Sequence, residues 1–170
     1  MEYRWHYTSP MGGMTMASDG QSLTGLWFVR QPSISAEASG KGMARSFETQ
    51  LLSVFDDTCR WLDVYFSGGV PAFTPALSPQ GTPFRQSVWE ILLTIPYSQT
   101  MTYGEIAARV ARQLGLQRMS AQAIGGAVGH NPIAIIIPCH RVIGADGSLT
   151  GYAAGLEKKR RLLQLEQIIP

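Results

Sequence analysis

Cysteine and histidine are scarce in this chain of 170 residues, which contains two cysteines and three histidines. Cys59 and Cys139 are too few for the disulfide framework of a small secreted domain. The five residues are also scattered, without the paired spacing of tetrahedral zinc ligands. The sequence therefore predicts no disulfide and no metal site, and it suits a reducing compartment in which a free thiol can react.

Long apolar runs are missing as well. No stretch approaches the roughly 18 uninterrupted apolar residues that a membrane-spanning helix needs. Residues 1–6 lack the apolar core of a signal peptide, so we expect a cytoplasmic protein without a membrane partner. An apolar content of 45% and a charged content of 15% are typical of a globular protein, and the length allows one ordinary domain or two small ones.

The net charge is only +2, but it is distributed unevenly. Residues 1–100 contain 6 basic and 8 acidic side chains, whereas residues 101–170 contain 8 basic and 4 acidic ones. A basic half beside an acidic half suggests a surface that faces a polyanion. Taken alone, such a charge cluster is more often an ordinary solvated face.

The first half of the chain is typical of a small α/β domain. Segments with strand character, separated by turn signals, lie at 3–8, 14–17 and 23–29. A small, polar stretch at 33–42 predicts a loop. Apolar residues then recur at helical spacing from Phe47 to Phe66, and Cys59 falls on that stripe, so we interpret Cys59 as a core residue.

A connector separates the two halves. Residues 71–83 contain four prolines and one glycine, with one short strand predicted at 72–77. We place the domain boundary near 78–82, which divides the chain into residues 1–78 and 79–170.

The second half is mostly helical. Helices are predicted at 84–95 after Pro83, at 102–114 with capping-box spacing, at 121–128 after Ser120, and at 156–167. The pair at 102–114 and 120–129 resembles a helix-turn-helix, although many such helix pairs bind nothing. The small side chains of its second helix allow close approach of a DNA groove or of a neighbouring helix, and the latter is modestly favoured.

The strongest chemical signal is the succession of a thiol, an imidazole and a guanidinium at Cys139, His140 and Arg141. The apolar residues 133–137 predict a buried strand that Pro138 ends, which delivers the thiol to an edge or pocket. Neighbouring cations lower the pKa of a thiol, and the thiolate is the reactive form. Most cysteines are inert packing, but a core strand has no use for these polar neighbours, so we interpret Cys139 as a nucleophile.

Residues 138–144, Pro-Cys-His-Arg-Val-Ile-Gly, closely resemble the active-site signature of the O-6-alkylguanine-DNA alkyltransferases. Further segments resemble that family in the same order along the chain: Thr82-Pro83-Phe84, Val88-Trp89, Ile95-Pro96-Tyr97, Tyr103-Gly104-Glu105-Ile106-Ala107, Gly125-Gly126-Ala127-Val128, Asn131-Pro132, Gly151-Tyr152-Ala153 and Leu162-Leu163-Gln164-Leu165-Glu166. The resemblance is strong from about residue 80 to 167. In the first half only the organisation is similar, and the zinc site of some relatives has no counterpart.

The resemblance implies a single-turnover DNA repair protein. It would transfer an alkyl group, such as methyl, from O-6 of guanine in double-stranded DNA to Cys139, and a soft thiolate suits that reaction. Because the protein itself accepts the group, no cofactor is expected. The implied fold class is α+β, with an N-terminal α/β domain of ribonuclease H-like type around a small antiparallel sheet. A mostly helical C-terminal domain with a helix-turn-helix follows, and we expect a monomer.

The same resemblance implies roles for residues near the thiol. His140 would relay the thiol proton, through water, toward Glu166. Tyr103 would donate to the guanine ring and contact the phosphate that rotates during base flipping. The simpler interpretations are that Glu166 is an ordinary exposed carboxylate at a helix end and that the Tyr103 hydroxyl lies in water. Arg141 would hold the pocket against the N-terminal domain.

Other residues would surround the everted base. Backbone groups of Cys139 and Val142 would contact the exocyclic amine. The Ala153 amide would face O-6, and Tyr152 would help to close the pocket. Asn131 would tie the helix pair to the active-site strand through backbone hydrogen bonds. Small side chains that admit more than a methyl group would line the pocket at Val128, Ala134 and Ala153.

The second helix of the pair would enter the minor groove, where an inserted side chain fills the vacated stack. The candidate DNA-binding residues are Arg118, Ser120, Ala121, Gln122, Ala123 and Gly125. Gln122 stands where the family has an intercalating arginine, and it lacks the planar cation that stacks on bases. We expect Gln122 to contribute less and Arg118 to contact phosphate. Weak DNA affinity, or a preference for strained substrate, would follow.

Three classes of protein compete with this interpretation. A non-enzymatic lesion-binding protein on the same fold would have its acceptor cysteine replaced, yet Cys139 is present. A helix-turn-helix regulator with an incidental thiol leaves the matching positions of His140, Tyr103 and Glu166 unexplained. A cysteine hydrolase is disfavoured because adjacent residues in an extended backbone point in opposite directions, which separates His140 from the sulfur.

Overall fold

The computed structural model describes residues 1–29 and 52–170. These residues form a three-stranded antiparallel sheet, a short parallel strand pair and five α-helices, so the fold is α+β as the sequence predicts. The predicted loop at 33–42 and the start of the helical pattern at Phe47 lie outside the described residues. None of the described helices is long and apolar enough to cross a membrane.

The N-terminal sheet confirms the three predicted strands. The strands are β1 (Tyr3–Ser9), β2 (Gly12–Ser18) and β3 (Leu23–Phe28), and they pair antiparallel in chain order. The central strand, β2, buries Met14 to Ser18 continuously. The predicted strand at 72–77 is reduced to one parallel bridge between Leu77 and Leu23.

Five helices complete the described fold: α1 (Ser53–Phe66), α2 (Pro83–Leu93), α3 (Tyr103–Leu114), α4 (Ala121–Gly129) and α5 (Leu156–Leu165). Their ends confirm the local signals in the sequence. Pro83 occupies the first turn of α2, and the Ser120 hydroxyl accepts a hydrogen bond from the Ala123 amide at the start of α4. Gly115, with φ of 66°, ends α3 in the left-handed conformation that glycine tolerates best.

The predicted strand at 133–137 is wrong. Ile133 forms a single bridge with Leu26 of β3, and the following residues fold into turns in which Ile135 has φ of 68°. The side chain of Asn131 accepts from the Ile133 amide and donates to the Ile137 carbonyl, which closes the segment on itself. A short apolar run indicates burial without fixing the backbone, and these isoleucines are buried in a loop.

The turn segment joins the N-terminal sheet to the helical half. Leu26 of β3 donates from its amide to the Pro132 carbonyl and accepts at its carbonyl from the Ala134 amide. Nearby, the Trp89 indole of α2 donates to the Ala127 carbonyl of α4 at 2.9 Å. After the turns, β5 (Val142–Ile143) pairs in parallel with β4 (Met101–Thr102) directly before α3. The segment that carries Cys139 is thus held between the two halves.

Thr102→Ala tests the capping box that begins α3. The Thr102 hydroxyl accepts from the Glu105 amide at 3.2 Å, and the Glu105 carboxylate accepts from the Thr102 amide at 2.7 Å. Losing the hydroxyl should lower the free energy of unfolding by about 1 kcal/mol, measured by urea denaturation. Thr102→Ser keeps the oxygen and should stay close to the parent. Equal losses in the two variants would contradict the capping role.

Candidate active site

Cys139 lies where the chain leaves the buried turns. It begins a 3-10 helix, Cys139–Arg141, that runs directly into β5. The predicted extended backbone is therefore wrong at this point, and it gives no reason for Cys139 and His140 to point in opposite directions. Among the hydrogen bonds of the described residues, the sulfur still has none to the imidazole and accepts only from Asn131 Nδ2, at 3.2 Å.

The Cys139 side chain is 7% exposed and opens onto a cavity of about 1090 Å³ among the described residues. One wall comes from the N-terminal sheet, including Thr15, Leu26 and Trp27. The cavity is also lined by residues that the family resemblance places around a base, namely Val128, Asn131, Ala134, Tyr152 and Ala153. A buried thiol that faces such a cavity is accessible to a ligand while remaining shielded from bulk water.

The expected lowering of the Cys139 pKa is wrong. Burial raises the pKa of this thiol, and it outweighs the Asn131 hydrogen bond, the Lys159 charge and nearby backbone amides, all of which favour the thiolate. The resting side chain is therefore a thiol, and reaction at this sulfur requires a base.

The His140 imidazole, which follows Cys139 in the chain, is held in a defined tautomer. The ring is fully buried, and Nε2 lies 2.6 Å from Oε1 of Glu166. Since the carboxylate can only accept, Nε2 carries the proton and Nδ1 has its lone pair free. Nδ1 has no hydrogen-bond partner among the described residues. Burial lowers the pKa of His140 despite the opposing effect of Glu166, so the ring is neutral and able to accept a proton.

Glu166 is not the exposed helix-end carboxylate of the simpler interpretation. It caps the C-terminal end of α5, and its side chain is completely buried. Arg141 donates from Nε to Oε2 at 2.8 Å and from Nη2 to Oε1 at 3.0 Å. The Ser98 amide donates to Oε2 at 3.2 Å. Burial raises the pKa of Glu166, but the hydrogen bonds and charges of His140 and Arg141 prevail and lower it to about 2.

Arg141 was expected to hold the pocket against the N-terminal domain, but its side chain binds residues of the helical half. Besides Glu166, the guanidinium donates from Nη1 to the Ile95 carbonyl at 2.6 Å and lies over the Tyr97 ring at 5.8 Å. These partners follow α2 or α5 in the chain. Arg141 is structural, as expected, and its direct partners lie in the helical half.

Comparisons with known proteins show which family this chain resembles. A family model described as "6-O-methylguanine DNA methyltransferase, DNA binding domain" matches residues 83–168. Proteins named methylated-DNA–protein-cysteine methyltransferase are 45% identical over 94% of this chain and 88% of their own in Mycobacterium tuberculosis. In Haemophilus influenzae the identity is 41%, over 98% of this chain and 87% of the relative. This chain belongs to the 6-O-methylguanine DNA methyltransferase family.

A solved structure extends the similarity to three dimensions. The crystal structure of Mycobacterium tuberculosis OGT in complex with DNA matches with a TM-score of 0.76 and 42% identity, covering 96% of this chain and 92% of that chain. The family resemblance therefore spans both halves, including the N-terminal half, where the sequence alone indicated only a similar organisation.

Two further candidate residues of this methyltransferase-family chain, Tyr103 and Asn131, make hydrogen bonds within the protein. The Tyr103 hydroxyl is not free in water, because it donates to the Thr150 carbonyl at 3.1 Å. This bond holds α3 against the loop that carries Tyr152. Asn131 donates to the Ile137 carbonyl at 2.8 Å, in addition to its contact with the thiol, so it connects the end of α4 to the cysteine segment.

The residues in and just before α4 fall into two sets, one buried and one exposed. Ile124, Ala127 and Val128 are buried against the neighbouring helices, which confirms the packing interpretation for that face. The opposite side is solvent-accessible in the described structure and presents the candidate DNA contacts Arg118, Ser120, Ala121, Gln122 and Ala123, with Gly125 half-buried.

Lys159 was missed among the basic residues of α5. Its side chain is completely buried, and Nζ donates to the Val142 carbonyl at 2.6 Å and to the Thr150 carbonyl at 2.9 Å. Burial lowers its pKa to about 8. The helical spacing of Lys159, Leu162, Leu163 and Glu166 places it on the buried face of α5, so periodicity was the signal that could have found it.

Glu166→Gln tests the buried carboxylate through acid stability. Because the pKa of Glu166 is about 2 rather than the ordinary 4.5, its contribution is complete above pH 4.5 and disappears as the pH falls toward 2. The contribution is on the order of 3 kcal/mol. The variant should be less stable at pH 7 and should lose less stability between pH 5 and 2, as measured by urea unfolding.

Glu157→Gln is the matched control, because Glu157 is an exposed carboxylate on the same helix. It should retain the parental dependence on pH. An identical acid profile for both variants would show that the Glu166 carboxylate does not stabilise the fold.

Proposed function

We propose that this protein repairs alkylated DNA by transferring a methyl or related alkyl group from O-6 of guanine to Cys139. The observation that carries the proposal is a thiol facing a cavity, next to a buried imidazole and carboxylate 2.6 Å apart. Family membership supplies the substrate class. A non-enzymatic lesion-binding role is disfavoured, since the acceptor thiol is present and faces the cavity.

The reaction begins with loss of the thiol proton. His140 accepts this proton at Nδ1 through a water molecule, and the adjacent Glu166 carboxylate stabilises the resulting imidazolium. The thiolate attacks the alkyl carbon, so an S–C bond forms while the C–O6 bond breaks and its electron pair goes to the guanine. Tyr103 gives up its hydrogen bond to the Thr150 carbonyl, donates its proton to the guanine ring and recovers one from solvent. The products are an unmodified guanine and a stable thioether, without any cofactor.

The base is held by the walls of the cavity. Backbone groups of Cys139 and Val142 contact the exocyclic amine. The amide of Ala153 faces O-6, and Tyr152 closes the pocket. The small side chains of Val128 and Ala134 leave space for alkyl groups larger than methyl. Since a paired guanine cannot reach a buried sulfur, the base must leave the helix at a cost of a few kcal/mol.

The DNA surface is proposed on α3 and α4, acting as a helix-turn-helix with α4 in the minor groove. The exposed side chains of Ala121 and Ala123 permit close approach, Gln122 fills the vacated stack, and Arg118 contacts a phosphate. Affinity should fall with salt because phosphate contacts release counterions. We further propose a ribonuclease H-like N-terminal domain at 1–78, a C-terminal domain at 79–170, and a monomer in the cytoplasm.

Incubation with a duplex oligonucleotide containing O-6-methylguanine tests the alkyl transfer. Intact-mass spectrometry should show one added methyl group per protein, and peptide mapping should place it on Cys139. Cys139→Ser should show no adduct, because the hydroxyl is a far weaker nucleophile at neutral pH. Cys59→Ser is the matched control and should react like the parent. A methyl group on Cys59, or no adduct at all, would refute the assignment.

Gln122→Arg tests the α4 surface. An arginine adds a cation beside the phosphates and a planar group that stacks on bases, so the Kd for duplex DNA should fall roughly tenfold. Fluorescence anisotropy with a labelled duplex measures this change. Gln164→Arg adds the same charge on the exposed side of α5 and should have a smaller effect. Equal tightening in both variants would indicate non-specific attraction rather than a contact by α4.

A further inference from the structure

A tyrosine from the N-terminal half reaches the catalytic carboxylate. Tyr65 lies on α1 and is completely buried. Its hydroxyl donates to Oε1 of Glu166 at 2.7 Å, and it lies 3.4 Å from Nε2 of His140. The contact joins residues 101 positions apart in the chain. The sequence places Tyr65 on the apolar stripe of α1 and gives no sign of a polar partner.

Packing fixes the position of this hydroxyl. The Tyr65 ring stacks on Trp61 with centroids 5.3 Å apart and meets Phe66 and Tyr97 edge-on at 5.5 and 6.2 Å. The imidazole of His140 also meets the ring edge-on, at 6.4 Å. A ring enclosed on several sides cannot swing its hydroxyl away from the carboxylate without disturbing the core.

The hydroxyl shares its acceptor atom with the imidazole. Oε1 of Glu166 accepts from Nε2 of His140, from Nη2 of Arg141 and from the Tyr65 hydroxyl. Each additional donor withdraws electron density from that oxygen and weakens its attraction for the other donors. The strength of the bond to His140 therefore depends on whether Tyr65 is present.

We propose that Tyr65 is a positioning residue for alkyl transfer, which orients the Glu166 carboxylate and limits how strongly it holds a proton on His140. Through this contact α1 influences the reactivity of Cys139, although it supplies no group that touches the substrate. The proposal rests on the proposed function, since it requires His140 to act as the base.

Other charged and titratable groups near the pair come from the helical half. Arg141 binds both carboxylate oxygens, and the Lys159 ammonium disfavours a charged imidazole. Tyr97 packs beside the pair and donates to the Leu165 carbonyl, and Cys139 precedes the imidazole in the chain. Within the described part of the chain, Tyr65 is the group from α1 that hydrogen-bonds to the pair. Its removal leaves these other groups in place, so the effect of one donor can be isolated.

Tyr65→Phe removes the hydroxyl and keeps the packed ring. With one donor fewer, Oε1 should attract the imidazolium more strongly and raise the pKa of His140. The acid limb of the pH–rate profile for methyl transfer should then move to higher pH by roughly 0.5 to 1 unit. Single-turnover rates with an O-6-methylguanine duplex give the profile, and NMR titration of the His140 ring gives the same shift without reference to activity.

Tyr7→Phe is the matched control. The Tyr7 hydroxyl also donates to a carboxylate of α1, Asp63, at 2.7 Å, but it does not contact the relay. This variant should keep the parental midpoint in both measurements. If Tyr65→Phe also keeps it, the proposal is overturned. Failure of the proposed function looks different, because the parent protein would then transfer no methyl group or would show no acid limb.

A second variant keeps the proposal falsifiable if Tyr65→Phe does not fold, as judged by its thermal unfolding. Site-specific replacement of Tyr65 by 3-fluorotyrosine preserves the ring and makes the hydroxyl a stronger donor. The shift should then have the opposite sign, with the midpoint of His140 moving to lower pH. An unchanged midpoint, or a move to higher pH, would overturn the proposal.

Discussion

The hydrogen bonds to the buried carboxylate of Glu166 are the interactions on which the rest of the site depends. An ionised carboxylate without partners in the interior costs several kcal/mol, so its presence requires donors from other parts of the chain. Tyr65 comes from α1, Ser98 from the turn after α2, and His140 and Arg141 from the 3-10 helix. Satisfying one charge thus fixes where separate segments meet, and it orients the imidazole of His140, the residue that follows Cys139.

Burial also governs the chemistry of the thiol. A permanently ionised Cys139 would be nucleophilic toward any electrophile or oxidant, whereas burial keeps it protonated. The base is also neutral, with Nε2 committed to Glu166 and Nδ1 available. Reactivity therefore requires a proton transfer inside the site, and the buried location restricts it to a ligand that enters the cavity. For a protein that reacts once, this protection preserves the acceptor until a substrate arrives.

Local signals in the sequence are enough to predict the ends of helices that are fixed by neighbouring residues. The capping box at Thr102 and the turn glycine Gly115 encode the ends of α3 within a few residues. The turns at 133–137 were mistaken for a strand because their geometry comes from the Asn131 side chain. Tyr65 shows the limit more clearly. Its partner lies 101 positions away, so no window of sequence contains the information that the hydroxyl meets a carboxylate.

The loop over the pocket is held by hydrogen bonds from two helices. The Thr150 carbonyl accepts from the Tyr103 hydroxyl of α3 and from the Lys159 ammonium of α5, so both helices fix the loop that leads to Tyr152. The loop beside the thiol is therefore held by hydrogen bonds from two helices, whereas His140 Nδ1 keeps its lone pair free. The side of α4 that carries Gln122 is exposed, by contrast, and none of the hydrogen bonds around Glu166 involves it. If α4 binds DNA as proposed, a substitution at Gln122 should therefore change affinity without altering the groups around the thiol.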